Sequence, residues 1–151
     1  GYCTAMVMAG AGLQRLGYSD KITEILDPDI MIPAVSQGAI AIEIRKNDPE
    51  IESLMKEICH IPTFIAIKAE RVFLRALEGG CQIPIGCFSQ LSQGSFKITG
   101  FVSNPDGSGM LKDYLEGEIG NAEKTALLLA QRFLEKGAQE MIRKIRTLNN
   151  I

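Results

Sequence analysis

This chain lacks a membrane-spanning segment, an export signal and a strong net charge. Its apolar runs fall short of the roughly 20 residues that a spanning helix needs, and no charged-then-apolar leader marks it for secretion. A formal net charge of −2 gives no electrostatic reason to expect nucleic acid or an anionic membrane as a partner. These absences predict a cytoplasmic protein that binds neither.

The common motifs of nucleotide binding, hydrolysis and metal binding are missing as well. There is no phosphate loop, no dinucleotide fingerprint and no Gly-x-Ser-x-Gly elbow. The only histidine is His60, and the four cysteines, Cys3, Cys59, Cys81 and Cys87, form no C-x-x-C pair. We therefore expect no metal site and no disulfides, and we interpret the cysteines as reduced thiols.

What is present is the composition of an ordinary globular protein, arranged in three zones. With 151 residues, 46% of them hydrophobic, the chain can bury a core. The first two zones, residues 1–35 and 36–60, each begin with a strand-like run, at 2–9 and at 39–45. The second strand leads into a helix capped by Asp48. Neither strand has a neighbour. The first segment therefore either packs on the rest of the chain or belongs to a larger domain, and the second strand indicates an incomplete α/β segment of a larger sheet.

The third zone, residues 61–151, is predicted to be a complete domain. A helix that begins at Thr63 is followed by three strands. Asn121 then caps a further helix, Gly137 ends it, and a last helix follows. The predicted core of the first helix is Phe64, Ile67, Val72, Phe73 and Leu77, and the predicted strands are 85–91, 95–103 and 110–119. Turn signals at Gln93-Gly94 and at 104–107 separate the strands. This order predicts an α+β fold, a three-stranded antiparallel sheet covered on one face by helices.

Cys81 is the strongest candidate for chemistry. Gly79 and Gly80 precede it and Pro84 follows, so the loop can hold the sulfur in a fixed, reachable place. A thiolate in such a place is a strong nucleophile. Alternatively, the glycines end a helix and the cysteine packs as a small hydrophobe. A catalytic dyad with His60 is a third reading, weakened because a lone histidine at a helix end is usually a cap or a solvated side chain.

Three further features of the sequence are candidates for function. Arg15 follows a glycine-flanked helix start and can bind an anion, or it is a solvated surface residue. Gln37 lies where a loop enters a strand, a common place for ligand contacts, or it is a turn residue. Glu70 and Arg71 lie inside the helix before the thiol, and we interpret them as residues that anchor this helix to its surroundings.

Three stretches in this order resemble the porphobilinogen deaminase (hydroxymethylbilane synthase) family. They are residues 70–86 (ERVFLRALEGGCQIPIG), 9–17 (AGAGLQRLG) and 33–40 (PAVSQGAI), and the resemblance covers essentially the whole chain. The stretch around the cysteine is the most specific. Ser36 and Ala41 depart from the family pattern, which usually has glycine at both positions.

The resemblance implies a role for each candidate residue. Cys81 would form a thioether to a dipyrromethane cofactor, on which four porphobilinogen units are joined with loss of ammonia before hydroxymethylbilane is released. Arg15 matches an arginine that pairs with the carboxylates of substrate and growing oligopyrrole. Gln37 matches a residue that lines the pyrrole site.

The resemblance also implies a domain arrangement. Residues 1–35 would end the second domain, 36–60 would return to the first, and 61–151 would form the third. The two upstream domains would be periplasmic-binding-protein-like, and the catalytic aspartate would lie upstream, so this chain contains no catalytic residue. We therefore expect the C-terminal half of a monomeric transferase, inactive without its N-terminal domain and able to self-associate. The alternatives are a non-catalytic binding or self-associating module and, behind it, a cysteine-dependent hydrolase.

Overall fold

The computed structural model describes residues 3–78 and 83–149. The chain divides into two compact units, Gly1–Met31 and Ile32–Ile151. The first unit contains helix α1 (Gly10–Arg15) and a single 3₁₀ turn (Ser19–Lys21). Helix α1 was predicted, and it ends as expected at a glycine, since Gly17 has a φ of +77°.

The predicted strand at 2–9 is wrong for the residues that the structure describes. Residues 3–9 form no strand, and the large side chains of Met6, Val7 and Met8 are exposed. A strand is stable only when a neighbouring strand pairs with its backbone N–H and C=O groups. No segment within the described ranges provides that pairing. The apolar pattern of residues 3–9 therefore does not lead to a strand.

The second predicted strand, at 39–45, is absent for the same reason. This segment has irregular backbone, with Ile40 89% and Ile42 59% exposed. The helix that follows it does form: α2 (Pro49–Ile58) begins where Asp48 Oδ1 accepts a hydrogen bond from the backbone N–H of Ile51, 3.3 Å away. A helix satisfies its own hydrogen bonds and needs no partner segment, which explains why the helix prediction is confirmed and the strand prediction is not.

Helix α3 (Ile61–Ala76) begins earlier than predicted. His60, not Thr63, is the N-cap. Pro62 therefore lies in the first turn of the helix, where the missing N–H of a proline costs nothing. The ring Nδ1 of His60 lies 2.8 Å from the Thr63 hydroxyl. Of the predicted core residues, Phe73 and Leu77 are buried, whereas Phe64 is half exposed. Phe64 instead contacts Lys68, whose Nζ lies 5.5 Å from the ring centroid.

The three-stranded antiparallel sheet is confirmed. Its strands are β1 (Ile85–Ser92), β2 (Ser95–Ser103) and β3 (Met110–Glu118), in the spatial order β1-β2-β3. Gln93 and Gly94 link the first two strands, and both have positive φ, +40° and +87°. Such backbone matches the twist of a tight hairpin, which is why a glycine signal located this turn correctly.

Helices α3 and α4 (Ala122–Glu135) cover one face of the sheet, as predicted for an α+β fold. Gly137, at a φ of +89°, separates α4 from the last helix, α5 (Ala138–Asn149). Phe73 and Phe133 meet edge to face at the centre, with ring centroids 5.2 Å apart. The largest side chains that are fully buried are Phe73, Leu77, Cys87, Phe96, Ile98, Val102, Leu129, Phe133 and Ile145. None of the helices in the described ranges is long and apolar enough to cross a membrane.

Candidate functional site

The segment that carries the predicted cofactor cysteine follows helix α3. Cys81 itself, with residues 79, 80 and 82, lies outside the described residues. The residues on each side are fixed: Leu77 is 2% exposed and Ile83 is 7% exposed, and both belong to the hydrophobic core. The core therefore holds both ends of the chain that leads to and from Cys81.

An arginine of the last helix reinforces the first of these ends. Arg146 of α5 donates a hydrogen bond from Nη2 to the backbone carbonyl of Glu78. Its Nη1 also lies 3.5 Å from the Glu78 carboxylate. Glu78 has a φ of +53°, so its carbonyl no longer belongs to the regular helix. Arg146 thus ties the C-terminal end of α3 to α5 just before the cysteine segment.

Gln37 lies exposed on a tight turn whose geometry depends on Ser36. The backbone N–H of Gln37 donates to the carbonyl of Ala34, 3.0 Å away, and Ser36 has a φ of +64°. This left-handed backbone is free of steric cost only for glycine. The structure therefore gives a physical reason for the glycine that the family usually has at this position.

The carboxylate of Glu70 connects this turn to the domain. Glu70 is only 4% exposed. Its Oε2 accepts a hydrogen bond from the backbone N–H of Ser36 at 2.8 Å, and its Oε1 accepts one from the backbone N–H of Ser89 at 2.9 Å. Burial raises the pKa of Glu70 above its ordinary value, and these two N–H groups partly oppose the rise. The predicted anchoring role is confirmed for Glu70, whereas its neighbour Arg71 is exposed.

The same turn also pairs with the edge of β1. Ala34 forms an isolated antiparallel bridge with Gly86, and the backbone N–H of Cys87 donates to the carbonyl of Pro33, 3.1 Å away. A β-carbon at Gly86 would lie 2.7 Å from that carbonyl oxygen and 2.2 Å from the ring of Phe101. Only glycine allows so close an approach. We call the meeting of residues 33–36, α3 and β1 the Glu70 junction.

Arg15 belongs to the first compact unit. It lies exposed in the last turn of α1, where a positive charge complements the negative end of the helix dipole. The junction and Gln37 belong to the second unit. The role of Arg15 in binding carboxylates therefore stays a prediction.

The remaining cysteines and the histidine offer no second reactive centre in the described ranges. Cys3 is exposed, Cys59 half-buried and Cys87 buried, and all three are free thiols. Burial, and after it the negative charge of Glu70, raises the pKa of Cys87 well above its ordinary value, so this thiol stays protonated. His60 caps one end of α3, whose 16 residues span about 24 Å, while Cys81 follows the other end. Among residues 3–78 and 83–149, no three His, Cys, Asp or Glu side chains cluster as metal ligands.

Sequence reasoning missed two features of this site. It assigned an anchoring role to Glu70 but did not identify the two backbone N–H groups that donate to its carboxylate. These groups lie 34 and 19 residues away along the chain. It also passed over Gly86. The available signal was local: Glu70 stands between Ala69 and Phe73, both fully buried. A carboxylate on the buried face of a helix requires donors, because an unpaired buried charge is costly.

Comparisons with known proteins agree on one family. The family model described as "Porphobilinogen deaminase, dipyromethane cofactor binding domain" matches residues 1–53, and that described as "Porphobilinogen deaminase, C-terminal domain" matches residues 64–135. A curated porphobilinogen deaminase from Carboxydothermus hydrogenoformans is 48% identical over 141 residues, which is 93% of this chain and 45% of the relative. Those of Pelotomaculum thermopropionicum and Synechococcus elongatus are each 42% identical, over 94% and 93% of this chain and 46% and 44% of the relatives.

The chain spans about half the length of the curated relatives it matches. Within that half, the two matched stretches include both parts of the candidate site, the Gln37 turn in the first and Glu70 with Cys81 in the second. This chain belongs to the porphobilinogen deaminase family.

Proposed function

We propose that this chain is the cofactor-carrying part of a hydroxymethylbilane synthase, a transferase that joins four porphobilinogen units with loss of ammonia. The observation that carries the proposal is the match of the family's cofactor-binding and C-terminal domains to the two parts of one chain. The second match includes Cys81.

The described residues fit a covalent anchor at Cys81. Leu77 and Ile83 are held in the core, so both ends of the segment that contains Cys81 are anchored. The other cysteine of this domain, Cys87, is fully buried and kept protonated, and so does not compete as a nucleophile. When bound, the dipyrromethane supplies the pyrrole end to which new units are joined. The Cys81 sulfur would hold that growing chain in place, which makes each addition effectively intramolecular.

Two further residues are proposed to bind substrate. The pyrrole units carry acetate and propionate groups, so a guanidinium such as that of Arg15 is a suitable partner for them. Gln37 is exposed at the tip of its turn and would line the pyrrole site with its side-chain amide. Neither residue is a general acid or base. In this proposal the catalytic carboxylate lies upstream of residue 1, and the chain is inactive alone.

The domain assignment is part of the same proposal: residues 1–35 end a second domain, 36–60 return to a first domain, and 61–151 form the third. It is supported by the contrast between the two kinds of segment. The sheet of residues 85–118 is self-contained, whereas residues 3–9 and 39–45 form no strand and most of their side chains are exposed. An N-terminal partner domain would supply the strands that these segments need.

The decisive experiment produces this chain together with the part of the Carboxydothermus relative that lies outside the match. We expect intact mass spectrometry to find an increment of two pyrrole units on Cys81, and porphobilinogen to be consumed. A Cys81→Ser variant should lose both, while the exposed-thiol control Cys3→Ser should keep both. Full porphobilinogen turnover by Cys81→Ser would contradict the anchoring role.

A self-associating module is the second candidate function. It is favoured by the exposed apolar side chains of the segment from 40 to 64, where Ile40, Ile42, Ile58, Ile61 and Phe64 are all more than half exposed. Sedimentation of the isolated chain would detect self-association, and dissociation on adding the N-terminal region would identify the surface as a domain contact. The hydrolase reading is disfavoured because His60 caps the start of α3, about 24 Å from the helix end that precedes the cysteine segment.

A further inference from the structure

We propose that Glu70 is a positioning residue, whose carboxylate sets the Ser36–Gln37 turn against α3 and β1 and thereby places the Gln37 side chain. The placement itself is a property of this chain alone. Its consequence for substrate binding rests on the proposed function, because it requires that Gln37 contact a pyrrole.

Both donors to Glu70 are backbone groups. The N–H groups of Ser36 and Ser89 lie 2.8 and 2.9 Å from the two carboxylate oxygens, so each oxygen has its own partner. Backbone N–H groups are the same for every residue type except proline. The arrangement therefore depends on the acceptor, and the identity of residue 70 decides whether the turn is held.

The carboxylate continues the pairing of the β1 edge. On this edge the N–H of Cys87 donates to the Pro33 carbonyl, and two residues later the N–H of Ser89 donates to Glu70. Alternate N–H groups of a strand point to the same edge. Backbone groups of Pro33 and Ala34 thus pair with the first part of the β1 edge, and the Glu70 carboxylate pairs with it at Ser89. Because the carboxylate takes over the pairing there, the backbone can turn away at Ser36.

Few side chains can take the place of this glutamate. Glutamine has the same length but only one acceptor oxygen, so its NH₂ group would face one of the two backbone N–H groups. Aspartate has two acceptors but is one methylene shorter. A buried N–H that loses its partner is costly, so the turn is expected to move or open in the glutamine variant.

Amide hydrogen exchange on the 151-residue chain tests the placement directly. In Glu70→Gln we expect the amides of Ser36 and Ser89 to exchange at least tenfold faster than in the wild type, with the β2 amides of Phe96 and Ile98 changed less than twofold. The control is Glu57→Gln, an exposed glutamate on α2, which should change none of them. Unchanged protection at Ser36 and Ser89 would overturn the proposal. Equal loosening of all core amides would also overturn it, because Glu70 would then be only a stabilising residue.

A wild-type measurement keeps the proposal testable if Glu70→Gln does not fold. The amide proton shifts of Ser36 and Ser89 should titrate with one common midpoint, that of the Glu70 carboxyl carbon. Among the described residues, the Cys87 thiol is the titratable group that interacts with this carboxylate, and it stays protonated through that range and so does not contribute. Separate midpoints, or no titration, would refute a shared acceptor.

The functional consequence is tested in the assembled enzyme described above. Glu70→Gln should raise the KM for porphobilinogen about fivefold to tenfold while the Cys81 mass increment stays complete, because a displaced Gln37 weakens binding of the pyrrole. An unchanged KM would show that the turn does not matter for substrate. If the wild type itself acquired no pyrrole increment, the proposed function would fail, while the exchange experiment would still decide whether Glu70 places the turn.

Discussion

Gly100 of the central strand lies directly against the ring of Phe73: a β-carbon at position 100 would come within 2.5 Å of the ring's Cζ atom. Phe73 is fully buried and meets Phe133 edge to face, so its ring cannot swing aside. This contact sets the spacing between the sheet and α3, the helix that leads to the cysteine segment.

Gly100→Ala should therefore destabilise the protein. Overpacking of this kind costs about 1–3 kcal/mol, because either the ring or the strand must shift. Urea unfolding measures the difference. Gly120→Ala is the matched control, since a β-carbon there meets nothing within 4 Å and its backbone φ is not positive; a loss as large as that of Gly100→Ala would contradict the packing argument.

Ser36→Gly should stabilise the chain by about 0.5–1 kcal/mol. The gain is the relief of a left-handed backbone, reduced by the greater freedom of glycine in the unfolded chain. The substitution also removes the Ser36 hydroxyl, which is buried and has no hydrogen-bond partner among the described residues. Because such a group is costly, its removal adds to the gain in stability. Thermal unfolding is the measurement. Ala41→Gly, the other family glycine position, lies in exposed chain without positive φ and should bring no gain.

The pH dependence of stability should report the buried Glu70. Because its folded pKa is raised, the folded state keeps a proton that the unfolded state releases above the ordinary value of about 4.3. Stability from this group is therefore complete below that value and is lost as the pH rises through the folded pKa. The unfolding free energy of the wild type minus that of Glu70→Gln should therefore fall as the pH rises above about 4.3. A difference that rises with pH would mean that the pKa is lowered instead.

The thiols should differ in reactivity by their burial. Iodoacetamide followed by peptide mapping should modify the exposed Cys3 quickly, the half-buried Cys59 more slowly, and Cys87 only after unfolding. The raised pKa of Cys87 works in the same direction, since only the thiolate reacts. Modification of Cys87 in the native protein at the rate of Cys59 would show that the core opens locally.

Arg146 should stabilise the C-terminal end of α3. In Arg146→Met the carbonyl of Glu78 loses its donor, and we expect the amides of Leu77 and Glu78 to exchange about threefold to tenfold faster. The total stability should change by less than about 1 kcal/mol, as for other exposed ion pairs. Lys144→Met, which removes an exposed pair with Glu140 on the same helix, should leave those amides unchanged.

Much of the second unit could be predicted because its signals are local. The hairpin at Gln93-Gly94 is specified by two residues that accept positive φ, and Gly137 ends α4 in the same way. Phe64 was misplaced because it lies on the outward side of the first turn of α3: it is 52% exposed, whereas its neighbour Ile65 packs against the core. The helical pattern alone contains no information about where the neighbouring elements end.

Other features were unpredictable because they depend on partners distant in sequence. The segments 3–9 and 39–45 have strand patterns, but a strand exists only with a neighbour, and the described residues provide none. The acceptor role of Glu70 depends on N–H groups from two other segments. Burial of a carboxylate is visible in sequence only as an acidic residue on an apolar helix face, which does not identify its donors.

The occupied edge of β1 also affects how the protein resists aggregation. An edge strand with unpaired N–H groups is a template for strand addition by another molecule. Here the N–H groups of Cys87 and Ser89 are taken by the Pro33 carbonyl and the Glu70 carboxylate, while β3, at the opposite edge, presents exposed charged side chains such as Glu116 and Glu118. The sheet is thus protected at one edge by its own chain and at the other by charge, so a change at Glu70 would expose a surface for intermolecular β-pairing.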